Sequence, residues 1–320
     1  MKFKLFILPL IAVSLTSCSK TKELKKNAFY FDTYTETRLF EGNEEDLKEI
    51  DRIFSKIDKL TDNFSSRDVH NLFTVNSTNE EVQIDADLYE ILSQSFSSNL
   101  DELKYFNPLC GSLSKKWKNS LEIPEILSNY TISEELENMQ NTSLQFLGEN
   151  TVKRIGKSEI DLGAVAKGFA LDKIKNYLFE NNIKKYLIDA GSSSLLLGEK
   201  NNGENFRVKL SNLDSSYLEV KNCFISTSSL DRQKVEIDGK VYSHIINPID
   251  GSAINKHDAV IVLSDSGYLG DILSTALINE TVENIEILEK KFNVQTLVIK
   301  DKNIVYKNEN IEVVKKWKKN

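Results

Sequence analysis

One short stretch of the chain combines residue types that suit the binding of a phosphate group. Residues 161–172 read Asp-Leu-Gly-Ala-Val-Ala-Lys-Gly-Phe-Ala-Leu-Asp. From Ala164 onward, small and apolar residues recur at steps of four and three, which predicts a helix that begins near Gly163, after a short strand ending at Ile160. A helix start with free amide groups attracts anions, and Lys167 adds a positive charge one turn later. Small residues here would equally allow two elements to pack closely, and spacing alone leaves both interpretations open.

A carboxylate and a hydroxyl four residues apart suit a hard metal ion. Asp271 and Thr275 lie in a predicted helix over residues 267–278, and a spacing of four puts both side chains on one face. Mg²⁺ prefers oxygen ligands, keeps part of its water and bridges phosphates. The alternative is a threonine that bonds to its own helix backbone beside a solvated aspartate.

His244 is one of three histidines in the chain. Residues 241–246 alternate as a strand and lead into a tight turn, Asn-Pro-Ile-Asp-Gly at 247–251. At such a place His244 is a candidate general base or phosphate ligand. A lone strand histidine is more often structural, so this residue alone does not decide the chemistry.

The elements that would position these groups favour an α+β fold, with antiparallel or mixed sheets packed with helices. Residues 29–40 are rich in aromatic and β-branched types and predict a strand, whereas apolar residues at helical steps over 47–60 predict an amphipathic helix. After the central helix, short strand candidates follow one another between turns from residue 185 to 226, which is typical of an antiparallel sheet.

Composition limits the class of partner. The chain has 320 residues, of which 40% are hydrophobic, so it can bury a substantial core. Its formal net charge is −7, and removing Lys2 and Lys4 takes it to −9. This acidic balance argues against nucleic acid as a partner but allows a small anion in a local pocket.

The first residues have the layout of a secretory signal. Lys2 and Lys4 precede an apolar run over residues 5–15 that is too short to span a bilayer, and Leu-Thr-Ser-Cys follows, ending at Cys18. This resembles the lipobox of bacterial lipoproteins, in which the cysteine is lipidated. A plain signal peptide with a chance cysteine is the alternative. The prediction is therefore a signal peptide at 1–17, a lipidated Cys18 with a polar tether at 18–27, and one folded domain at 28–320.

Besides Cys18, the chain has two cysteines, Cys110 and Cys223. Neither lies near a histidine in a metal-ligand spacing, and neither has the local context of a nucleophile. They can pair or stay free, and the sequence assigns them no chemistry.

Motifs along the chain resemble those of the ApbE family, the FAD:protein FMN transferases formerly labelled thiamine-biosynthesis lipoproteins. Five occur in family order: Asp-Leu-Gly-Ala-Val-Ala-Lys-Gly-Phe-Ala at 161–170, Asp-Ala-Gly-Ser at 189–192, Ser-Thr-Ser at 226–228, Ser-His-Ile-Ile-Asn-Pro-Ile-Asp-Gly at 243–251, and Gly-Asp-Ile-Leu-Ser-Thr-Ala-Leu at 270–277. The similarity covers nearly all of residues 28–320. Five ordered motifs behind a lipoprotein-like leader are far more specific than any one of them.

The resemblance implies a set of site residues. Mg²⁺ would be held by Asp271, Thr275 and the backbone carbonyl of Ala164, and His244 is the candidate base. FAD would be contacted by Phe31, Tyr105, Phe106, Asn107, Asp161, Lys167, His244 and the backbone of Ile246. The chain departs from the usual family pattern at Phe31, Asp32, Asn107, Gly191-Ser192 and Asn247. These departures leave the metal and phosphate positions intact.

The implied activity is the Mg²⁺-dependent transfer of FMN from FAD to a Thr or Ser hydroxyl of an extracytoplasmic or membrane redox protein, with release of AMP. The acceptor would carry a segment like Asp-Gly-x-Thr/Ser-Gly-Ala-Thr/Ser, and the enzyme would be anchored to a bacterial membrane through Cys18, at the periplasmic face or the cell surface. Two alternatives remain: a Mg²⁺-dependent FAD pyrophosphatase that yields FMN and AMP, and a lipid-anchored flavin-binding protein without turnover.

Overall fold

The computed structural model describes residues 23–123, 125–232 and 234–315. The predicted signal peptide and Cys18 lie outside these described residues. The helices of the described ranges, α1 to α8 in chain order, span Glu44–Thr61, Leu72–Asn76, Ala86–Ser95, Gly111–Glu122, Asn129–Gln140, Ala166–Glu180, Gly267–Leu277 and Val282–Phe292. Within these ranges, every helix is too short or too polar to cross a membrane.

An antiparallel sheet of eight strands forms the centre of the fold, in the order β1-β2-β6-β7-β10-β13-β14-β15. The strands of the described ranges, β1 to β16, span Leu24–Tyr30, Thr33–Leu39, Glu81–Gln83, Ser143–Gly148, Thr151–Ile155, Tyr186–Ala190, Ser194–Leu197, Phe206–Lys209, Ser216–Val220, Cys223–Ser229, Lys234–Ile237, Lys240–Ser243, Ala259–Ser264, Gln295–Lys300, Asn303–Lys307 and Val313–Lys315. Smaller sheets are β16-β9-β8, β3-β5-β4 and β11-β12.

Both faces of the central sheet are covered. Successive side chains of a strand point to opposite faces, so each strand contributes to two cores. Phe224 and Val260 are buried in the core shared with helices α1, α6, α7 and α8. Ile225 and Ile261 are buried in a second core against the three-stranded sheet β16-β9-β8. Helices on one face of an antiparallel sheet confirm the predicted α+β class.

Helix α1 confirms the predicted amphipathic helix. It begins with a capping box in which the Asn43 side chain accepts from backbone amides of the first turn, and Asp46 accepts from the Asn43 amide at 2.7 Å. Phe54 and Ile57 are among the buried residues of its inner face. This helix packs next to β1 and α6 and so supports the region of the predicted site.

The folded domain begins earlier than predicted. The sequence predicts a polar tether ending at Asn27, but residues 24–27 belong to β1 and pair in register with residues 36–39 of β2. Their lysines make cross-element ion pairs, such as Lys26 with Asp51 at 2.6 Å. The strand therefore forms through its partners although its own sequence is polar.

Two further boundaries differ from the sequence-based expectation. Strand β5 ends at Ile155, so residues 158–160 reach the central helix as an extended segment without strand pairing. Strand β12 ends at Ser243, which leaves His244 outside the strand in which it was predicted.

Candidate active site

Two glycines allow helices α6 and α7 to touch backbone to backbone. A Cβ atom on Gly168 would lie 2.1 Å from the carbonyl oxygen of Gly267, and a Cβ atom on Gly267 would lie 2.6 Å from the carbonyl oxygen of Gly168. Both distances are shorter than a side chain can approach a backbone atom, so only glycine fits either position. The close-packing interpretation of this stretch is thus confirmed at Gly168.

Asp271 reaches across this contact from α7 to α6. Its Oδ2 accepts a hydrogen bond from the Gly168 amide at 2.7 Å, and its Oδ1 accepts one from the Ser194 hydroxyl at 2.8 Å. Burial raises the pKa of the Asp271 carboxyl, while Lys167, Ser226 and these two donors act in the opposite direction. Each oxygen keeps a further lone pair, so the carboxylate can still bind a cation.

The same hydrogen bond lies in the first turn of α6. In a regular helix the Gly168 amide donates to the carbonyl of Ala164, four residues earlier. Here it donates to Asp271, and the helix begins at Ala166, three residues after the start predicted at Gly163. The Ala164 carbonyl is thereby released from a hydrogen bond with the Gly168 amide.

Hydroxyl groups from β10 face the helix that carries Asp271 and Thr275. The Ser228 hydroxyl lies 3.0 Å from Ser274 Oγ and 3.2 Å from Thr275 Oγ1. Ser226, two residues earlier on the same strand face, is 1% exposed, and its hydroxyl acts to lower the pKa of the Asp271 carboxyl. The motif at 226–228 gives its serines no role from the sequence alone, because only their alternation on a strand beside α7 brings them to the site.

These oxygen atoms fit a small hard cation. A buried carboxylate, a hydroxyl one helical turn away and a released carbonyl are donor types that Mg²⁺ accepts, with its other positions left to water or phosphate oxygens. Within the described ranges, no three His, Cys, Asp or Glu side chains converge as a metal cluster. Among the three proposed ligands, Asp271, Thr275 and the Ala164 carbonyl, Asp271 supplies the carboxylate.

Asp161 lies in the turn that leads into α6. Its Oδ1 accepts from the Gly163 amide at 2.7 Å, and its own amide donates to the Pro108 carbonyl at 2.8 Å. Burial raises the pKa of the Asp161 carboxyl, and the positive charge of Lys167 opposes this rise. Because Lys167 acts on both Asp161 and Asp271, these three charged groups share one region of the molecule.

The predicted flavin-contacting segment at 105–107 lies beside Asp161. Tyr105 and Phe106 are half-buried, and Asn107 caps a short 3₁₀ helix by accepting from the Leu109 amide at 2.9 Å. Pro108 directly follows this segment, and its carbonyl accepts the hydrogen bond from the Asp161 amide. The segment therefore borders the Asp161 turn.

The predicted segment 31–33 forms the tight turn between β1 and β2. Phe31 and Asp32 both have a φ of +54°, a conformation that Asn and Gly adopt more readily than other residues. Thr33 packs against the β6–β7 turn so closely that a Cβ atom on Gly191 would lie 2.4 Å from Thr33 Cγ2. Since that turn leads to Ser194, the hairpin tip borders the Asp271 region.

His244 and Ile246 lie on a segment attached to the other end of α7. His244 is exposed, whereas Ile246 is 8% exposed. Asn255 donates to the carbonyl of Ile245 at 3.1 Å and contacts Asn279, just beyond the C-terminal end of α7. The structure thus ties this segment to the helix that carries the predicted metal ligands.

Cys110 and Cys223 are free thiols. Burial raises the pKa of Cys110 to about 12 and that of Cys223 to about 11. Both therefore stay protonated near neutral pH and are poor nucleophiles.

The chain is similar to known proteins over most of its length. The model of the ApbE family matches residues 31–298. A FAD:protein FMN transferase of Chlamydia muridarum is 24% identical over 317 residues, which covers 94% of this chain and 97% of that protein. A FAD:protein FMN transferase of Klebsiella pneumoniae is 33% identical over 126 residues, covering 39% of this chain and 40% of that protein.

Solved structures share the fold. The ApbE protein of Thermotoga maritima superimposes with a TM-score of 0.77 at 20% identity, covering 90% of this chain and 97% of that one. The flavin transferase ApbE of Vibrio cholerae gives a TM-score of 0.74 at 19% identity, again covering 90% and 97%. At this level of identity the likeness concerns the fold.

Proposed function

The chain belongs to the ApbE family, and we propose that it is a transferase that moves FMN from FAD to a Thr or Ser hydroxyl of an acceptor protein and releases AMP. Relatives matching over nearly the whole chain carry the name FAD:protein FMN transferase. The observation that carries the proposal is the buried Asp271 carboxylate, which faces the start of α6 with Lys167 nearby. This arrangement puts a carboxylate that can bind a metal ion next to a lysine and a helix start that can bind phosphate.

The Mg²⁺ ion would be held by Asp271, the Thr275 hydroxyl and the Ala164 carbonyl. When bound, it supplies positive charge that offsets the charge of the FAD pyrophosphate. Lys167 adds charge on the same side, and the amides at the start of α6 provide hydrogen-bond donors for phosphate oxygens. Phosphoryl transfer of this type depends mainly on such positioning and charge neutralisation.

The transfer exchanges one phosphorus–oxygen bond for another. The acceptor hydroxyl oxygen bonds to the FMN-side phosphorus, the bond from that phosphorus to the bridging oxygen breaks, and AMP leaves with the electron pair. His244 takes the hydroxyl proton, because it is exposed at the end of β12 and reachable from solvent and from a protein substrate.

The rest of FAD is assigned to residues around this centre. Asp161 and Lys167 contact the cofactor near its pyrophosphate, and the hairpin tip at Phe31 with the segment 105–107 borders the flavin. The backbone of Ile246 and His244 close the other side. These roles rest on the family positions and on the adjacency of the segments described above.

The first 18 residues support a proposal for where in the cell the protein lies. We assign residues 1–17 as a signal peptide and Cys18 as a lipidated residue that holds the enzyme on the outer side of a bacterial membrane. The acceptor is then an extracytoplasmic or membrane redox protein that carries a segment like Asp-Gly-x-Thr/Ser-Gly-Ala-Thr/Ser.

The experiment that tests the function uses FAD, Mg²⁺ and an acceptor protein with that segment. Mass spectrometry of the acceptor and chromatography of the nucleotides follow both products. Acceptor mass increased by one FMN, with AMP in equal amount, supports transfer. Free FMN with AMP would assign a pyrophosphatase instead, and FAD binding without AMP would leave a flavin-binding protein.

Lys167→Ala is expected to raise the Kd for FAD about 10- to 100-fold, because a charge-assisted contact to a phosphate contributes about 1.5–3 kcal/mol. Flavin fluorescence titration measures the change. The control is Lys175→Ala on the same helix, whose ammonium donates to the Asp265 carbonyl. Equal Kd values for Lys167→Ala and the wild-type protein would argue against the pyrophosphate placement.

Thr275→Val is expected to weaken Mg²⁺ binding at least about tenfold with little change in Tm, since valine keeps the shape and removes the oxygen ligand. Isothermal titration calorimetry measures the Kd. Ser274→Ala serves as the matched control, because its hydroxyl bonds to the same Ser228 but is not a proposed ligand. The ligand assignment fails if both variants bind Mg²⁺ as the wild-type protein does.

A further inference from the structure

Asp172, the last residue of the stretch at 161–172, binds the start of helix α7. Its Oδ1 accepts from the Gly267 amide at 2.8 Å, and its Oδ2 accepts from the Tyr268 amide at 2.9 Å and from the Ser266 hydroxyl at 2.8 Å. A helix start has free amides and a positive dipole end, so a carboxylate there makes strong hydrogen bonds. This carboxylate comes from α6, so it joins two helices.

A second hydrogen bond joins the same two helices, with the aspartate now on α7 and the amide on α6. Asp271 of α7 accepts from the Gly168 amide of α6 at 2.7 Å, while Asp172 of α6 accepts from the Gly267 amide of α7 at 2.8 Å. Each helix thus carries the pattern Gly-x-x-x-Asp, and each aspartate bonds to the glycine amide of the other helix. We call this arrangement, formed by Gly168, Asp172, Gly267 and Asp271, the reciprocal clasp.

The reciprocal clasp surrounds the closest contact between the two helices. The Gly168 and Gly267 backbones meet directly, and a carboxylate bond lies on either side of that meeting point. Two bonds at separate points resist both sliding and rotation of one helix against the other, which a single bond would not.

The proposed metal ligands come from both helices. Asp271 and Thr275 belong to α7, whereas the Ala164 carbonyl belongs to the turn that opens α6. Mg²⁺ requires nearly octahedral geometry with short bonds, so its affinity depends on the register between the two helices. A small shift of α7 would separate the ligands.

We propose that Asp172 is a positioning residue for the metal site: by holding the start of α7 in the reciprocal clasp, it sets the distance at which Asp271 and Thr275 face the Ala164 carbonyl. Asp172 does not itself contact the ion. The inference rests on the proposed function, because it presumes that these three groups bind Mg²⁺.

The test compares Mg²⁺ affinity in the wild-type protein and in Asp172→Asn, by calorimetry on the flavin-free protein. Asparagine keeps the shape and one acceptor oxygen, but it loses the charge and the second acceptor. The expected result is a Kd for Mg²⁺ raised about tenfold, as measured for other residues that orient metal ligands. A Kd within twofold of the wild-type value would overturn the proposal.

A matched control separates positioning from general stability. Asp85 caps α3 by accepting from the Asp87 amide at 2.8 Å, so Asp85→Ala removes the cap of a helix start away from the reciprocal clasp. We expect Asp85→Ala to lower Tm and leave the Kd for Mg²⁺ unchanged. If the two variants shift the Kd equally, Asp172 acts only through stability and the proposal is wrong.

Ser266→Gly keeps the test decisive if Asp172→Asn does not fold. Glycine is tolerated as a helix cap at a cost of a few tenths of a kcal/mol, and this change removes one of the three donors to Asp172. A Kd raised about threefold supports the proposal, and an unchanged Kd overturns it.

The same titrations separate failure of the proposed function from failure of this inference. A wild-type protein that binds no Mg²⁺ would overturn both the metal assignment and the inference. Mg²⁺ binding that is unchanged in both variants would overturn the inference alone.

Discussion

Asp271→Asn is expected to abolish Mg²⁺-dependent AMP release from FAD while the protein stays folded. Removing a group that helps to offset transition-state charge typically costs about 10²–10³-fold in rate, and here the same group is the one carboxylate of the proposed metal site. Asparagine can keep both native contacts, because its oxygen can accept from the Gly168 amide and the Ser194 hydroxyl can rotate to accept from its NH₂ group.

The measurements are AMP release by chromatography and Tm in the absence of metal. Burial raises the pKa of Asp271, so the charge is costly to the fold, and its removal should leave Tm unchanged or higher. Asp265→Asn, an exposed carboxylate just before α7, is the control and should behave as the wild-type protein. Turnover by Asp271→Asn within threefold of the wild-type rate would rule out the metal assignment.

Gly168→Ala is expected to destabilise the fold by about 3 kcal/mol or more, the upper range for overpacking a core. Its Cβ atom would lie 2.1 Å from the Gly267 carbonyl oxygen and 2.8 Å from the Tyr268 amide nitrogen, and both are backbone atoms that cannot swing away. The helices would have to separate, which lengthens both bonds of the reciprocal clasp. Urea unfolding measures the stability, and calorimetry measures the accompanying loss of Mg²⁺ binding.

Gly203→Ala provides the comparison. A Cβ atom there has no neighbour within 4 Å, although the residue has a φ of +72°. Only backbone strain of about 1 kcal/mol is expected, with no effect on Mg²⁺ binding. If Gly168→Ala destabilised the protein no more than Gly203→Ala does, the helices could relax at this contact and the packing argument would be wrong.

Much of the architecture was accessible from local patterns. The order of the motifs predicted the family, and the alternation of short strands with amphipathic helices predicted the α+β class; both are confirmed. Helix periodicity also placed α1 and α7 to within a few residues, because each has a buried face with regular spacing.

The start of α6 could not be predicted from its own residues. The helix begins at Ala166, and the free Gly168 amide of its first turn donates to Asp271, 103 positions later in the chain. Ser194 was missed for the same reason, since its hydroxyl meets Asp271 only once β7 and α7 pack together. Hydrogen bonds between residues so far apart in the chain cannot be predicted from local spacing. The residues Gly168 and Asp271 themselves do lie in recognisable motifs.

Strand β1 was predicted only in part, because residues 29–40 predict a strand whereas the polar, lysine-rich residues 24–27 predict a tether. Residues 24–27 contain two lysines and an asparagine, but Lys25 and Lys26 pair with Glu36 and Asp51 from β2 and α1. An edge strand can be polar when its neighbours supply opposite charge.

If Cys18 carries a lipid, the early start of β1 limits how far the enzyme can work from a membrane. Six residue steps separate Cys18 from Leu24, and they span at most about 22 Å when fully extended. A domain held this closely would search for its acceptor across the bilayer surface instead of through the surrounding volume. Acceptors whose modified Thr or Ser lies near the headgroups would then meet the enzyme often, and a hydroxyl displayed far above the membrane would be out of its reach.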